Sequence, residues 1–107
     1  MRAICRRLDG GTGVYGRSDK SVRFDRAPSQ QLIEQMAFTP FSHEDVAFLM
    51  QDSHPDLYLF SSDYPHLEGT KDPIGRFERF LEDSEPAIRD AFYSENFLRL
   101  WPSARVD

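Results

Sequence analysis

The residues best suited to chemistry lie in one short run, Ser61-Ser62-Asp63-Tyr64-Pro65-His66-Leu67-Glu68-Gly69. Asp63 supplies a carboxylate, a group able to ligate a divalent metal or to move a proton. His66 and Glu68 follow it closely in the same run. The same residue types also build plain loops, with aspartate capping a turn and Pro65 and Gly69 shaping the chain path. Other candidates are weaker. Gly11-Thr12-Gly13-Val14-Tyr15-Gly16 matches G-x-G-x-x-G, but a dinucleotide site needs an apolar strand before that pattern and a helix after it. Arg6-Arg7-Leu8-Asp9 precedes it and Arg17-Ser18-Asp19-Lys20 follows, so the run reads as a flexible glycine-rich loop. His43, His54 and His66 stand 11 and 12 residues apart, which fits no compact zinc signature. Cys5 is the only cysteine, excluding an internal disulfide and a multi-cysteine zinc site.

The element that must position Asp63 is the apolar run before it. Leu57 to Phe60 is continuously apolar, the pattern of a strand covered on both faces in a parallel sheet. Met36 to Phe41 predicts an earlier short strand ending near Pro40. Between the two, Ser42 and Asp45 form an S-x-x-D capping pattern that starts a helix running to about Asp52, with Val46, Leu49 and Met50 on one face. His43 then falls in the first helical turn and His54 in a turn before Pro55. Strand, helix and strand in this order allow a right-handed crossover. Upstream, Ser29 is placed to cap a short helix to about Gln35, with Leu32, Ile33 and Met36 inward. Downstream, Asp72 at the cap and Pro73 at the first helical position start a helix whose stripe is Ile74, Phe77, Phe80 and Leu81. Ser84 to Pro86 begin another with Ile88, Ala91 and Phe92 inward, and Phe97, Leu98, Leu100 and Trp101 form a last apolar cluster. In parallel α/β sheets ligands bind beyond the carboxyl ends of strands, which is where Asp63 would stand.

The chain has 107 residues, 39% of them hydrophobic, enough for the core of one small domain. No apolar run approaches the roughly 20 residues of a bilayer-spanning helix. A net charge of −5 argues against a nucleic-acid or anionic-membrane partner. That charge is unevenly spread: Met1 to Arg26 hold seven Lys/Arg against three Asp, and Ala27 to Asp107 hold six against fifteen Asp/Glu. Leu8 to Asp25 shows neither helical nor strand periodicity and reads as loop or disorder. Residues 1–24 are therefore expected to be a basic, glycine-rich segment outside the patterned domain of 25–107. The opening Met-Arg-Ala-Ile-Cys lacks the apolar stretch of a secretory signal, so a soluble, cytoplasmic protein is expected.

Four runs carry a resemblance: Gln35-Met36-Ala37-Phe38-Thr39-Pro40-Phe41-Ser42-His43-Glu44-Asp45-Val46, Leu59-Phe60 with the 61–69 run, Arg76-Phe77-Glu78, and Ser94-Glu95-Asn96-Phe97-Leu98-Arg99-Leu100-Trp101. In this order they resemble the C-terminal part of amidohydrolase-related proteins, the metal-dependent TIM-barrel hydrolases and decarboxylases of the amidohydrolase superfamily. The resemblance spans Asp25 to Pro102, and S-D-Y-P-H-x-E-G is its most specific run. It implies an α/β fold, a partial TIM barrel made of the last two βα units plus C-terminal helices. It implies that Asp63 is the catalytic carboxylate after the eighth strand, binding a divalent metal (zinc foremost) and shuttling a proton. His66 and Glu68 would shape the substrate pocket. Family members also use a His-x-His pair and further histidines from earlier strands, and this sequence has no His-x-His. A whole barrel takes about 250 residues, and catalytic zinc needs three protein ligands as a rule. The implied protein is thus a C-terminal fragment of a hydrolase, inactive and not tightly metal-binding by itself. Its implied partners are a small-molecule substrate in the complete enzyme and, through exposed sheet edges, other copies of itself. The alternative readings are a stand-alone α/β binding or oligomerisation module without catalysis, and a decarboxylase-type member of the same family.

Overall fold

Residues 1–21 and 23–106 are described in the computed structural model, and they divide into two units, Met1–Met36 and Ala37–Asp107. The division falls C-terminal to the charge break near residues 24–28.

In the first unit, helix α1 spans Arg2–Ser18 and α2 spans Pro28–Gln35. The loop expected from Leu8 onward is therefore helical as far as Ser18. Glycine inside a helix costs about 1 kcal/mol relative to alanine, which is why Gly10, Gly11, Gly13 and Gly16 signal a loop. Contacts outweigh that local preference here. Thr12 Oγ1 donates to the Asp9 carbonyl at 2.7 Å and Ser18 Oγ to the Val14 carbonyl at 2.9 Å. More telling, the Asp9 carboxylate accepts from both the backbone N–H and the hydroxyl of Ser29, at 2.9 and 2.6 Å. Ala27 at the N-cap of α2 has no side chain able to cap, so Asp9 satisfies a free N–H of that helix from twenty residues away. Ser29 lies inside the first turn as a donor, two positions beyond the capping place expected of it. These bonds, the Ser29 hydroxyl first, hold the Asp9 carboxyl below its ordinary value.

The second unit holds α3 (Val46–Asp52), α4 (Pro73–Leu81), α5 (Pro86–Asp90) and α6 (Asn96–Leu100), with a π-helical segment, Ala91–Glu95, joining the last two. Asp72 caps α4 as expected, its carboxylate accepting from Gly75 N–H at 2.9 Å, with Pro73 in the first turn. At α3 the cap is Asp45, accepting from Phe48 N–H at 3.0 Å. Ser42 takes no part in it, because the turn before the helix is closed by Glu44, whose carboxylate accepts from Phe41 N–H at 2.7 Å.

The α/β sheet expected from the sequence is not formed. The two runs read as strands meet at a single parallel bridge, Phe38 with Tyr58. Phe38 N–H donates to the Leu57 carbonyl at 2.7 Å and Leu59 N–H to the Phe38 carbonyl at 3.0 Å. No strand extends from this bridge among the described residues, so the unit is helical, and the partial TIM barrel of two βα units is overturned. A short apolar run secures burial by several routes, and periodicity cannot choose between them. Here Pro55–Leu57 forms a 3-10 turn, with His54 Nδ1 accepting from Asp56 N–H at 3.2 Å. Beyond the bridge, the polar backbone finds helical partners in place of a third strand. Phe60 N–H donates to the Phe92 carbonyl at 2.9 Å, and the Tyr58 carbonyl accepts from Asn96 Nδ2 at 2.6 Å.

Val46, Met50, Leu57, Phe77, Leu81 and Phe92 form the buried core. Phe60 and Tyr93 extend it as an aromatic cluster, in which the Phe77 and Phe92 rings lie 5.0 Å apart and edge-on, a favoured arrangement. Ile74, expected inward on α4, is 57% exposed. No helix of the described residues is long and apolar enough to cross a membrane.

At the margin of this core, the Tyr93 hydroxyl and the Arg89 guanidinium both face the Glu78 carboxylate, and Arg89 and Glu78 form an ion pair. The nearby Tyr93 hydroxyl first, and Arg89 second, hold Glu78 below its ordinary value of 4.5. Burial, reinforced by Glu78, pushes Tyr93 far above its ordinary 10.0. A lowered carboxyl stabilises the fold above its free value, and that contribution fades as pH falls through the folded one. A raised phenol stabilises below its free value, and that contribution fades as pH climbs past about 10. The urea midpoint should therefore drop on both sides, below about pH 4.5 and above about pH 10. Glu78→Gln should flatten the acid limb and Tyr93→Phe the alkaline one. Unchanged limbs in both variants would show that this contact does not govern the pH response.

Candidate functional site

The chain leaves the Phe38–Tyr58 bridge, passes Phe60 and enters the 61–69 run. Ser61 Oγ accepts from Asp63 N–H at 3.2 Å, and Ser62 Oγ from Tyr64 N–H at 3.3 Å. Asp63 takes φ 54, the only positive φ among the described non-glycine residues. This left-handed conformation is uncommon outside glycine, although aspartate tolerates it better than most. From there the chain doubles back twice. The Asp63 carbonyl accepts from His66 N–H at 2.8 Å across a turn whose Tyr64–Pro65 peptide is cis, and the His66 carbonyl accepts from Gly69 N–H at 3.1 Å. A Cβ on Gly69 would stand 2.8 Å from the Asp63 carbonyl oxygen and 3.1 Å from that of His66. Only glycine fits so close to those carbonyls. Thr70 Oγ1 then accepts from Asp72 N–H at 3.3 Å and leads into the cap of α4. The main chain of this loop is thus tied at Asp63, Tyr64, His66, Gly69 and Asp72.

Its side chains are another matter. Asp63 is half-buried, whereas His66 and Glu68 are exposed. A cavity of about 530 Å³ lies beside the loop, with His66, Tyr64, Lys71 and Pro73 in its wall. Asp63 and Glu68 do not line it. Among the described residues, no three His, Cys, Asp or Glu side chains gather as a metal-binding group. The donors in the loop do not fit a closed divalent centre, which takes three or four protein ligands. What the loop offers alone is one half-buried carboxylate on a fixed backbone, with an imidazole at the rim of a neighbouring cavity.

Further cavities of the 37–107 unit were not anticipated. One, about 680 Å³, lies among Phe48, Met50, Pro55, Phe80 and Ile88 and is mainly apolar, with Asp45 already committed to capping α3. A smaller one, about 300 Å³, is lined by Ser42, His43, Arg76, Arg79 and Phe80. His43 is exposed and stacks on Phe41, ring centroids 5.6 Å apart and planes 5° from parallel. It sits in the turn before α3, not in its first helical turn. Compared with family models and with curated proteins, the chain matches none of either.

Proposed function

We propose that the 61–69 loop is a component of a metal-dependent amidohydrolase-like hydrolase, with Asp63 at its metal-binding, proton-moving position. The observation that carries this reading is the left-handed Asp63 backbone, held from both sides by Ser61, His66 and Gly69. Uncommon backbone conformations of this kind cluster at active sites and persist where the surroundings over-determine them. The ordered resemblance of residues 25–102 to the family supplies the chemical class; the family's sheet architecture forms no part of the proposal.

In this reading the chain is inactive alone, because the histidines that complete the centre come from sequence it does not hold. Asp63 would be the one ligand this loop supplies to a metal held mainly by other residues, and its carboxylate would hold the proton released by the reacting water. His66 would contribute to the wall of the substrate pocket, and Glu68 would act from the rim of the same loop. A small-molecule substrate and a cytoplasmic setting belong to the same proposal.

The test is the intact mass of the native polypeptide, captured from its source cells with an antibody against residues 77–92. A species substantially longer than 107 residues is expected. It should carry stoichiometric metal, and Asp63→Asn in it should weaken metal retention by tenfold or more. A native species of 107 residues, or metal retention indifferent to Asp63→Asn, overturns the proposal.

A further inference from the structure

The 37–107 unit is rich in carboxylates, yet two of its arginines have no acidic partner. Its arginine ion pairs among the described residues include Arg89 with Glu78 and Arg105 with Glu95. Arg76 and Arg79 enter none of them among the described residues, although Glu82 and Asp83 follow directly on the same stretch. Spaced three apart on α4, the two guanidinium groups emerge on one face of the helix. Both line the cavity of about 300 Å³, across which lie His43 and Ser42 from the turn before α3.

Ser42 is the second, independent sign. It is only 7% exposed, and its buried hydroxyl has no hydrogen-bond partner among the described residues. Buried polar groups are nearly always satisfied, and an orphan calls for an explanation. The expected capping role would have supplied one, but Asp45 performs it. The residue that bears this hydroxyl lines the cavity that carries the two unpaired guanidinium groups, and a ligand with several acceptor oxygens bound there would give it a partner on a small shift of the turn.

We propose that Ser42, His43, Arg76 and Arg79 form a binding site for the phosphate group of a small molecule. Arginine forks match phosphate oxygens in pairs. Donors arriving from two elements suit a tetrahedral anion better than a planar carboxylate, whose two oxygens one fork already saturates. Phe80 in the wall and the His43 ring stacked on Phe41 offer flat surface to an organic substituent. This site is separate in sequence and lining from the Asp63 loop, and it stands whether or not the proposal for that loop does.

The test is titration of the full chain in low-salt chloride buffer, followed by backbone and arginine side-chain NMR shifts. The probes are inorganic phosphate, phenyl phosphate and benzoate. Both phosphates should shift Ser42, His43, Arg76 and Arg79, and benzoate should bind at least about tenfold more weakly. Tighter binding of phenyl phosphate than of phosphate identifies an organic monoester as the ligand, and equal binding identifies free phosphate. Arg76→Gln with Arg79→Gln should lower phosphate affinity by about tenfold or more while leaving the unfolding midpoint unchanged. Ser42→Ala should raise the Tm of the free protein by about 4 °C or more, by removing an unsatisfied buried group, and should shrink the Tm gain on adding phosphate. Benzoate binding as well as phosphate, full affinity in the double arginine variant, or an unchanged phosphate-induced Tm gain in Ser42→Ala overturns the proposal.

Discussion

Phe92→Ala should destabilise the 37–107 unit by about 3–5 kcal/mol, the usual cost of truncating a buried phenylalanine. Phe92 is fully buried, and its ring meets those of Phe77, Tyr93 and Phe60 at 5.0, 5.1 and 6.2 Å. Edge-on aromatic pairs contribute about 0.5–1.5 kcal/mol beyond the area they bury, so the cavity left behind removes several such contacts together. Small domains are stable by only about 5–15 kcal/mol, and the loss should show as a large drop in the urea midpoint. The effect should reach the Asp63 loop, because Phe60, three residues before Asp63, packs on the Phe92 ring and donates its N–H to the Phe92 carbonyl. A loss under about 1 kcal/mol would mean that the aromatic cluster is not the core of this unit.

Asn96→Ala should cost about 2–4 kcal/mol, although it deletes only a small polar side chain. Asn96 is 3% exposed, and its Nδ2 donates to the Pro55 carbonyl at 2.8 Å and the Tyr58 carbonyl at 2.6 Å. Removing that amide strands two carbonyls inside the unit, each worth about 1–3 kcal/mol when left unpaired. Arg99, which donates to the Asp56 carbonyl at 2.7 Å from the next helical turn, would then hold the 55–58 segment without it. Hydrogen exchange gives the local signature. The Phe38 and Leu59 amides at the bridge should lose protection in Asn96→Ala before amides in α4 do. Equal loss across the unit would mean that Asn96 contributes to general packing and does not pin the bridge.

Local signals were the legible part of this sequence. Asp72-Pro73 announces α4, and α2 and α3 end at the expected Gln35 and Asp52, because caps and proline act within a few residues. The signals that misled depended on partners distant in the chain. Glycines 10 to 16 spoke against a helix, yet Asp9 in that stretch finds Ser29. Leu57 to Phe60 satisfied the pattern of a covered strand, but helical groups from Phe92 and Asn96 take the hydrogen bonds that a neighbouring strand would have taken. For the site, Asp63 was visible as a residue type at a segment exit, whereas its left-handed backbone follows from the folded loop. His66 and Glu68 adjoin it in sequence, but only His66 reaches the neighbouring cavity. The group around Ser42 escaped notice because S-x-x-D suggested a capping box. The discoverable sign was Arg76-x-x-Arg79, two like charges one helical turn apart in an otherwise acidic stretch.

The π-helical segment at Ala91–Glu95 bears on how this chain is to be laid against any other. Asn96 N–H reaches back five residues to the Ala91 carbonyl, and the Phe92 carbonyl is turned to Phe60. In effect, the run from Pro86 to Leu100 carries one residue more than an unbroken α-helix of the same span. Each residue turns an α-helix by about 100°. An ungapped alignment that fits the residues before Ala91 would therefore rotate everything after it by that angle and carry Asn96 off the buried face. Placing a one-residue gap between Ala91 and Glu95 restores the match on both sides, and a relative lacking that residue must satisfy the Phe60 N–H by some other means.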